Sequence, residues 1–293
     1  MANFLYDMQM GVTTSQQIAQ YYDLYRDTTI ILSKEVLTVL RMDPRQIYIK
    51  CQGAQWPCII NSSSLMAAKI IVGTKGGAYA AIQRQNTPVS LRFFFLDSYG
   101  KSVSFFVNAK VSHIDSYMNS SDLAIATLDF TSKPPDDLIE ILGKLLETKN
   151  NYAKRSEERI MIDEDSMRKL ELQKKETVVF IQDVPRNCIL RDISFSGAKV
   201  LLMGLSQFLQ GKETSLRLTF DEPHEIFDIK GSVVHVENIE GRKDLVSLAM
   251  KFHEESIPIS YKIHINNYLT SMRKRILTAN VADAKAMPSG ENG

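Results

Sequence analysis

The sequence predicts a mainly β protein with flanking helices, built from two copies of one small β-barrel or sandwich. Two observations predict this fold class. Short segments with alternating or β-branched apolar residues are separated by turn residues along much of the chain. Similar segments also recur in the same order in the two halves of the 293-residue chain. An ordered recurrence of this kind indicates two copies of one supersecondary plan.

Four pairs of segments carry the repeat. Residues 58–72, "CIINSSSLMAAKIIV", resemble residues 188–202, "CILRDISFSGAKVLL", at an offset of 130. Three further pairs follow in the same order: "SLRFFF" from Ser90 with "SLRLTF" from Ser215, "KVSHI" from Lys110 with "SVVHV" from Ser232, and "SDLAIATLDF" ending at Phe130 with "KDLVSLAMKF" ending at Phe252. Turn material such as "DEPHE" and "NIEGRKD" separates the segments of the second copy, as expected for short antiparallel strands.

Each copy is predicted to end in a helix. Residues 134–149, "PPDDLIEILGKLLETK", begin with Pro and Asp and place leucine and isoleucine side chains on one side of a helix. Residues 259–275, "ISYKIHINNYLTSMRKR", form the corresponding helix of the second copy. A further helix, "TTSQQIAQYYDLYRD", is predicted to precede the first barrel.

Composition restricts the functional classes. The formal net charge of +1 argues against a surface that coats nucleic acid. Cys51, Cys58 and Cys188 form no CxxC pair and cannot all be disulfide-bonded, which favours a reducing compartment. The first residues lack a basic region followed by a long apolar core, and no window reaches the length of a membrane span. We therefore expect a cytoplasmic protein without a membrane span.

The chain is predicted to divide into two domains. Residues 1–149 form the first domain, and the polar, highly charged residues 150–162 form an interdomain linker. Residues 163–277 form the second domain. Residues 278–293 are small and polar, and are predicted to be a disordered tail.

Two motifs of the second copy suggest a binding site. "DISFSG", residues 192–197, interrupts an apolar segment and forms either a turn between strands or a backbone-lined site. Upstream, Arg155 and Arg159 in "RSEER" can bind phosphate bidentately, stack on a purine or reach the acceptors of guanine. Asp192 offers acceptors to guanine's N–H donors, Ser194 adds a hydroxyl, and Gly197 lets a planar ligand approach the backbone.

At these residues the chain resembles the PilZ family, cytoplasmic receptors for the second messenger cyclic di-GMP. That family carries RxxxR, filled here by Arg155 and Arg159, and then [D/N]xSxxG, filled by Asp192, Ser194 and Gly197. RxxxR alone is common by chance, but the pair of motifs followed by "GSVV", residues 231–234, is specific. The resemblance covers roughly residues 154–275. It implies a six-stranded antiparallel β-barrel with a C-terminal helix, and therefore two tandem PilZ-like barrels, each followed by a helix.

Flanking charges are weaker candidates for the site. Lys154 and Arg191 lie beside the two motifs and are candidates for phosphate contacts, although exposed charge is the default for each. No metal site is predicted, because the five histidines show no metal-ligand spacing. No cofactor is predicted besides the ligand.

The first copy retains the scaffold of the motif without its ligand residues. In the repeat alignment Ser62, Ser64 and Ala67 replace Asp192, Ser194 and Gly197, so no Asp or Gly remains. "RMDPR", residues 41–45, also satisfies RxxxR, but it lies closer to the barrel motif, and we interpret it as a chance match. We therefore expect a degenerate PilZ-like N-terminal domain and a ligand site in the C-terminal half.

The leading functional hypothesis is a receptor and not an enzyme. Cyclic di-GMP would order the Arg155–Arg159 segment, change the arrangement of the two domains and thereby regulate a protein partner. The resemblance implies a role in motility or virulence. The alternative is a β-barrel protein that binds single-stranded nucleic acid, and a third hypothesis is an adaptor without a ligand. An enzyme is least supported, since no acid–base pair or nucleophile stands at a convincing spacing.

Overall fold

The protein consists of two compact units of mainly β structure. The computed structural model describes residues 14–83, 87–97, 100–221 and 224–286. The boundary between the units lies between Asn150 and Asn151. In this part of the chain, no helix combines the length and the apolar character that crossing a membrane requires.

The first unit contains an eight-stranded antiparallel sheet. Its helices are α1 (Ser15–Tyr25), α2 (Lys34–Val39), α3 (Gly77–Ile82) and α4 (Asp136–Arg155), and α4 continues past the unit boundary. Its strands are β1 (Ile30–Ile31), β2 (Tyr48–Cys51), β3 (Ala54–Pro57), β4 (Ile59–Ser63), β5 (Ala67–Gly73), β6 (Pro88–Leu96), β7 (Ser102–Ser116) and β8 (Leu123–Phe130). The strand order is β1-β4-β5-β8-β7-β6-β2-β3.

The second unit contains a closed six-stranded antiparallel barrel. The strands of this unit are β9 (Ile160–Met161), β10 (Glu176–Ile181), β11 (Val184–Ile193), β12 (Gly197–Met203), β13 (Glu213–Phe220), β14 (Glu225–Ile239) and β15 (Arg242–Phe252), of which β10 to β15 form the barrel. Its further helices are α5 (Glu164–Leu170) and α6 (Ile259–Ala286). The order is β10-β13-β14-β15-β12-β11-β9, and β10 also pairs with β11, which closes the ring. The predicted six-stranded barrel is therefore confirmed in this unit, with β9 as an extra strand beside β11.

The first unit follows the same plan with one interruption. β3 and β4 are separated by Cys58 alone; β3 pairs with β2, whereas β4 pairs with β5. In the second unit one uninterrupted strand, β11, makes both kinds of pairing, with β10 and with β12. Pro57 lacks the backbone N–H that a ladder needs, and the Cys58 N–H donates to Ile47 O at 3.3 Å. This interruption and the extra strand β1 give the first sheet eight strands where six were expected.

The repeat extends further toward the N-terminus than the matching segments indicate. β1 pairs with β4 through Ile30 and Ser63, and β9 pairs with β11 through Ile160 and Ile193. Both pairs of residues keep the offset of 130. A register shift between residues 60 and 62 of β4 also has its counterpart between residues 190 and 192 of β11. The two units therefore share small irregularities as well as strand order.

Helix α6 covers the core of the barrel in the second unit. Tyr261 is fully buried, and its ring lies edge-on to those of Phe220, Phe227 and Phe252 at 5.9–6.4 Å. His264 stacks on Phe220 with ring centroids 4.1 Å apart. Burying a large apolar side chain contributes about 1.5–3 kcal/mol, so this aromatic cluster fixes α6 on the barrel.

Two segments predicted to be irregular contain regular structure. In the predicted linker, residues 150–155 belong to α4 and residues 160–161 form β9. Tertiary contacts account for this: the Asn151 amide donates to Asn266 Oδ1 at 2.7 Å, and the Tyr152 ring packs edge-on against Phe195 at 5.8 Å. Composition alone could not reveal these contacts.

The predicted tail also begins as a helix. The backbone of α6 continues to Ala286, and the remaining residues of the tail, 287–293, lie outside the described residues. The segment "TANVADAKA" contains four alanines, and alanine has the highest helix propensity of all residues. A composition of small residues is therefore compatible with helix here.

Gly231 in β14 provides a test of strand packing in the second unit. A Cβ at this position would lie 2.2 Å from Lys251 O of the neighbouring β15, so the two strands would have to separate. We expect Gly231→Ala to lower the free energy of unfolding by about 1–3 kcal/mol, measured by chemical denaturation of the full chain. Gly73→Ala is the control, because its Cβ would meet Asp122 O at an ordinary 3.9 Å. Equal effects of the two substitutions would contradict this account.

Candidate functional site

The turn between β11 and β12 contains the DxSxxG motif. The Ser194 N–H donates to Gly197 O at 2.8 Å, and the Ser194 hydroxyl accepts from the Ser196 N–H at 3.3 Å. Ser194 is almost fully buried. Ser194 therefore stabilises the turn through local hydrogen bonds of its backbone and its side chain, as serine commonly does in turns.

A β-bulge directs Asp192 away from the barrel core. Leu190 pairs with Val200 and Asp192 pairs with Lys199, so Arg191 is an extra residue on β11. Leu190 and Ile193 both belong to the hydrophobic core. In a regular strand Leu190 and Asp192 would share a face, but the extra residue reverses the alternation. Asp192 consequently lies on the outer side of the barrel.

The structure brings the two motifs together at one ion pair. β9, which follows Arg159 directly, pairs with β11 so that Met161 lies opposite Asp192. Arg159 Nη1 donates to Asp192 Oδ1 at 2.5 Å, across 33 residues of sequence. The side chain of Asp192 is only 7% exposed, whereas that of Arg159 is 42% exposed. Asp192 is thus buried in the protein, whereas Arg159 remains accessible to solvent.

Arg155, the last residue of α4, has an unsatisfied donor. Its Nη1 atom is buried and has no hydrogen-bond partner within the described part of the chain. A buried donor without a partner costs about 1–3 kcal/mol. An anionic oxygen bound beside Arg155 would satisfy this donor through a charge-assisted hydrogen bond.

The residues between the two arginines attach the RxxxR segment to the barrel. The Ser196 hydroxyl shares its proton between Ser156 O at 2.9 Å and Glu157 Oε1 at 3.1 Å. Arg273 of α6 donates to Glu158 Oε2 at 2.5 Å. Contacts within the protein therefore attach to the barrel the segment that we expected the ligand to order. The motif does not specify these residues, so the sequence did not indicate their role.

Tyr261 connects α6 to the motif turn. Its hydroxyl donates to Ser194 O at 2.6 Å. Burial raises the pKa of Tyr261 above its ordinary value, so this hydroxyl keeps its proton and remains a donor. The apolar pattern of the sequence places Tyr261 in a helix, but it cannot show that the hydroxyl reaches a turn 67 residues away.

Gly197 has a structural role that differs from the predicted one. The residue is buried, and a Cβ there would lie 2.4 Å from Met250 O of β15. Glycine is therefore required for the close approach of β12 and β15. The expectation that it clears space for a planar ligand gains no support from this geometry.

The two weaker candidates lie at the surface. Lys154 and Arg191 are both exposed. The backbone carbonyl of Arg191 accepts from the Ile162 N–H at 2.9 Å, next to β9. Among the residues that the structure describes, neither side chain forms an ion pair with another predicted site residue. Both remain predictions for contacts with an anionic ligand.

The first unit retains the turn but has no arginine at the equivalent positions. At the offset of 130, Tyr25 and Thr29 correspond to Arg155 and Arg159. The Ser64 N–H donates to Ala67 O at 2.8 Å, which reproduces the turn of the second unit. "RMDPR" lies after α2, and Arg45 pairs with Asp43 of the same motif at 3.1 Å. This placement supports the interpretation of that motif as a chance match.

Two family models match the chain. The PilZN3 domain matches residues 16–149, and the PilZ domain matches residues 153–271. A protein of Treponema denticola described as a cyclic di-GMP binding protein is 48% identical over 267 residues. This match covers 90% of the present chain and 85% of that protein.

Solved structures also match the chain. The Borreliella burgdorferi PlzA protein in complex with c-di-GMP is 25% identical, with a TM-score of 0.40, and the match covers 87% of this chain and 98% of that one. YcgR from Escherichia coli in complex with c-di-GMP is 12% identical, with a TM-score of 0.29 and coverage of 84% and 92%.

The ion pair predicts a stability effect. Arg159→Ala leaves the buried Asp192 carboxylate without its cation, and we expect it to lower the free energy of unfolding by about 1–2 kcal/mol. The double variant with Asp192→Asn should lose less than the sum of the two single effects. Arg45→Ala is the matched control, because its exposed pair with Asp43 should contribute less than about 0.5 kcal/mol. Chemical denaturation compares the wild type with both single variants, the double variant and Arg45→Ala, and additive effects at Arg159 and Asp192 would contradict the coupling.

Proposed function

The chain belongs to the PilZ family, and on this premise we propose that it is a receptor for cyclic di-GMP and not an enzyme. The observation that carries the proposal is the Arg159–Asp192 ion pair, because it unites two family motifs that are distant in sequence. The description of the Treponema denticola relative as a cyclic di-GMP binding protein supports the same ligand.

The proposed site is the outer side of the β11–β12 turn in the second unit. The guanidinium groups of Arg155 and Arg159 suit the phosphates and the O6 and N7 acceptors of guanine. The carboxylate of Asp192 suits guanine's N1–H and N2 donors, which adenine does not offer. Ser194 and Gly197 maintain the turn that carries Asp192. The buried, unpaired Nη1 of Arg155 supports an anionic ligand at this place.

Calorimetric titration of the full chain with cyclic di-GMP tests the proposal. We expect saturable binding by the wild type and at least tenfold weaker binding by Arg155→Ala and Asp192→Asn, since one charged hydrogen bond contributes about 1.5–3 kcal/mol. Cyclic di-AMP should bind about 100-fold more weakly, because adenine lacks the N1–H and N2 donors that guanine offers to the Asp192 carboxylate.

Arg45→Ala is the control for the motif of the first unit. It should bind like the wild type, because we assign that arginine no ligand contact. Weakened binding by Arg45→Ala, or undiminished binding by Arg155→Ala and Asp192→Asn, would place the site elsewhere.

We further propose that the ligand changes the arrangement of the two units and thereby regulates a protein partner in the cytoplasm. The support comes from the chain itself: α4 contains the unit boundary and ends at Arg155, so a ligand that contacts Arg155 acts on the connecting segment. Motility and virulence are the processes that the family resemblance implies for such a receptor.

Small-angle scattering of the full chain tests the change of arrangement. We expect the scattering profile to change when cyclic di-GMP saturates the wild type, and hydrogen exchange of residues 156–159, between α4 and β9, to slow. Asp192→Asn at the same ligand concentration should retain the profile of the free protein. An unchanged wild-type profile, at a saturation established by calorimetry, would show a receptor without this rearrangement.

A further inference from the structure

On the outer face of the first sheet, the side chains of Tyr48, Arg92 and Phe106 form a row of two aromatic rings and one cation, the aromatic row. Arg92 on β6 lies directly opposite Phe106 on β7. The Arg92 guanidinium carbon lies 4.9 Å from the centre of the buried Phe94 ring and 5.1 Å from that of the Tyr48 ring. The Tyr48 and Phe106 rings are 6.2 Å apart. The three side chains therefore form one continuous surface across β2, β6 and β7.

The surroundings of the aromatic row are basic. The Lys50 ammonium lies 4.5 Å from the centre of the Phe106 ring, and Phe106 is 42% exposed although it is a large apolar residue. β2, β3, β6 and β7 together contain Lys50, Arg92 and Lys110, and their first acidic residue is Asp115 near the end of β7. The row thus combines one exposed aromatic ring, that of Phe106, with positive charge.

In the second unit, a carboxylate neutralises the arginine at the position that corresponds to Arg92. Arg217 in "SLRLTF" corresponds to Arg92 in "SLRFFF". Asp228 stands directly opposite Arg217, as Phe106 stands opposite Arg92. Arg217 donates to both carboxylate oxygens of Asp228 at 2.7 and 2.8 Å, and this bond lowers the pKa of Asp228.

In the first unit this carboxylate is replaced by an aromatic ring. Across the described residues, Arg92 takes part in no ion pair, and its buried Nε has no hydrogen-bond partner. Its Nη1 donates to Gln46 O at a long 3.4 Å. The first unit therefore has an incompletely satisfied cation among aromatic rings, where the second unit has a salt bridge.

We propose that the aromatic row is a binding site for single-stranded nucleic acid. The exposed ring of Phe106 and the half-buried ring of Tyr48 are suited to stacking on unpaired bases, and the neighbouring Lys50 and Arg92 side chains attract the phosphates. An acidic peptide matches the cations but not the rings, and a proline-rich peptide matches the rings but not the cations. A duplex does not offer the faces of its bases. This site uses none of the residues proposed for cyclic di-GMP.

Fluorescence anisotropy of the full chain with labelled oligonucleotides tests the proposal. The probes are oligo(U) and oligo(dT) of roughly 12 nucleotides, and a DNA duplex of the same length, at low salt. We expect both single strands to bind more tightly than the duplex, and the tighter of the two identifies RNA or DNA as the preferred ligand. Raising the salt concentration should weaken this binding.

Phe106→Asp is the decisive variant. It places opposite Arg92 the carboxylate that the second unit has opposite Arg217, so the fold should be retained, which thermal unfolding verifies. We expect at least tenfold weaker binding of the single strands, because a stacking ring is lost and the cation is neutralised. Arg217→Ala is the matched control in the second unit and should bind like the wild type.

Three results would overturn the proposal: no binding of single strands by the wild type at low salt, equal binding of the duplex, or undiminished binding by folded Phe106→Asp. Arg159→Ala separates this site from the cyclic di-GMP site, because it should weaken binding of the dinucleotide and leave oligonucleotide binding intact. Loss of oligonucleotide binding in Arg159→Ala would also contradict an independent site on the first unit.

Discussion

Strand β11 is the constraint on which the rest of the second unit depends. It pairs with β10 and β12 along its length, and its last residues pair with β9. The first pairing closes the barrel, and the last one brings Arg159 to Asp192. The bulge at Arg191 separates the two tasks, because residues before it direct alternate side chains into the core and Asp192 after it faces outward. A regular strand would have directed the carboxylate into the hydrophobic core.

Much of the fold was predictable because it depends on local patterns. Alternating apolar residues identified the strands, and the recurrence of "SLRFFF" and "SLRLTF" identified two copies of one plan. The pairing of RxxxR with DxSxxG predicted that Arg159 and Asp192 belong to one ligand site, and the structure brings their side chains together in a direct ion pair.

The contacts that the sequence did not reveal are long-range or concern backbone spacing. Residues 150–155 appeared to be a linker because they are polar, yet Asn151 and Tyr152 pack within the second unit. Gly197 was interpreted as clearance for a ligand, but its neighbour is a carbonyl of β15, and no sequence pattern shows which strand lies beside it. The hydroxyl of Tyr261 reaches Ser194 O only because α6 closes the barrel.

The first unit preserves the register shift around Asn61 and the turn of Ser64, although it carries neither arginine nor aspartate at the corresponding places. These backbone features thus persist without the ligand residues and belong to the folding of the scaffold. After a duplication, one copy of such a scaffold can exchange its recognition side chains while its strands continue to pair. Molecular recognition and foldability are then inherited separately, and a tandem protein acquires a second surface on which selection acts without endangering the first.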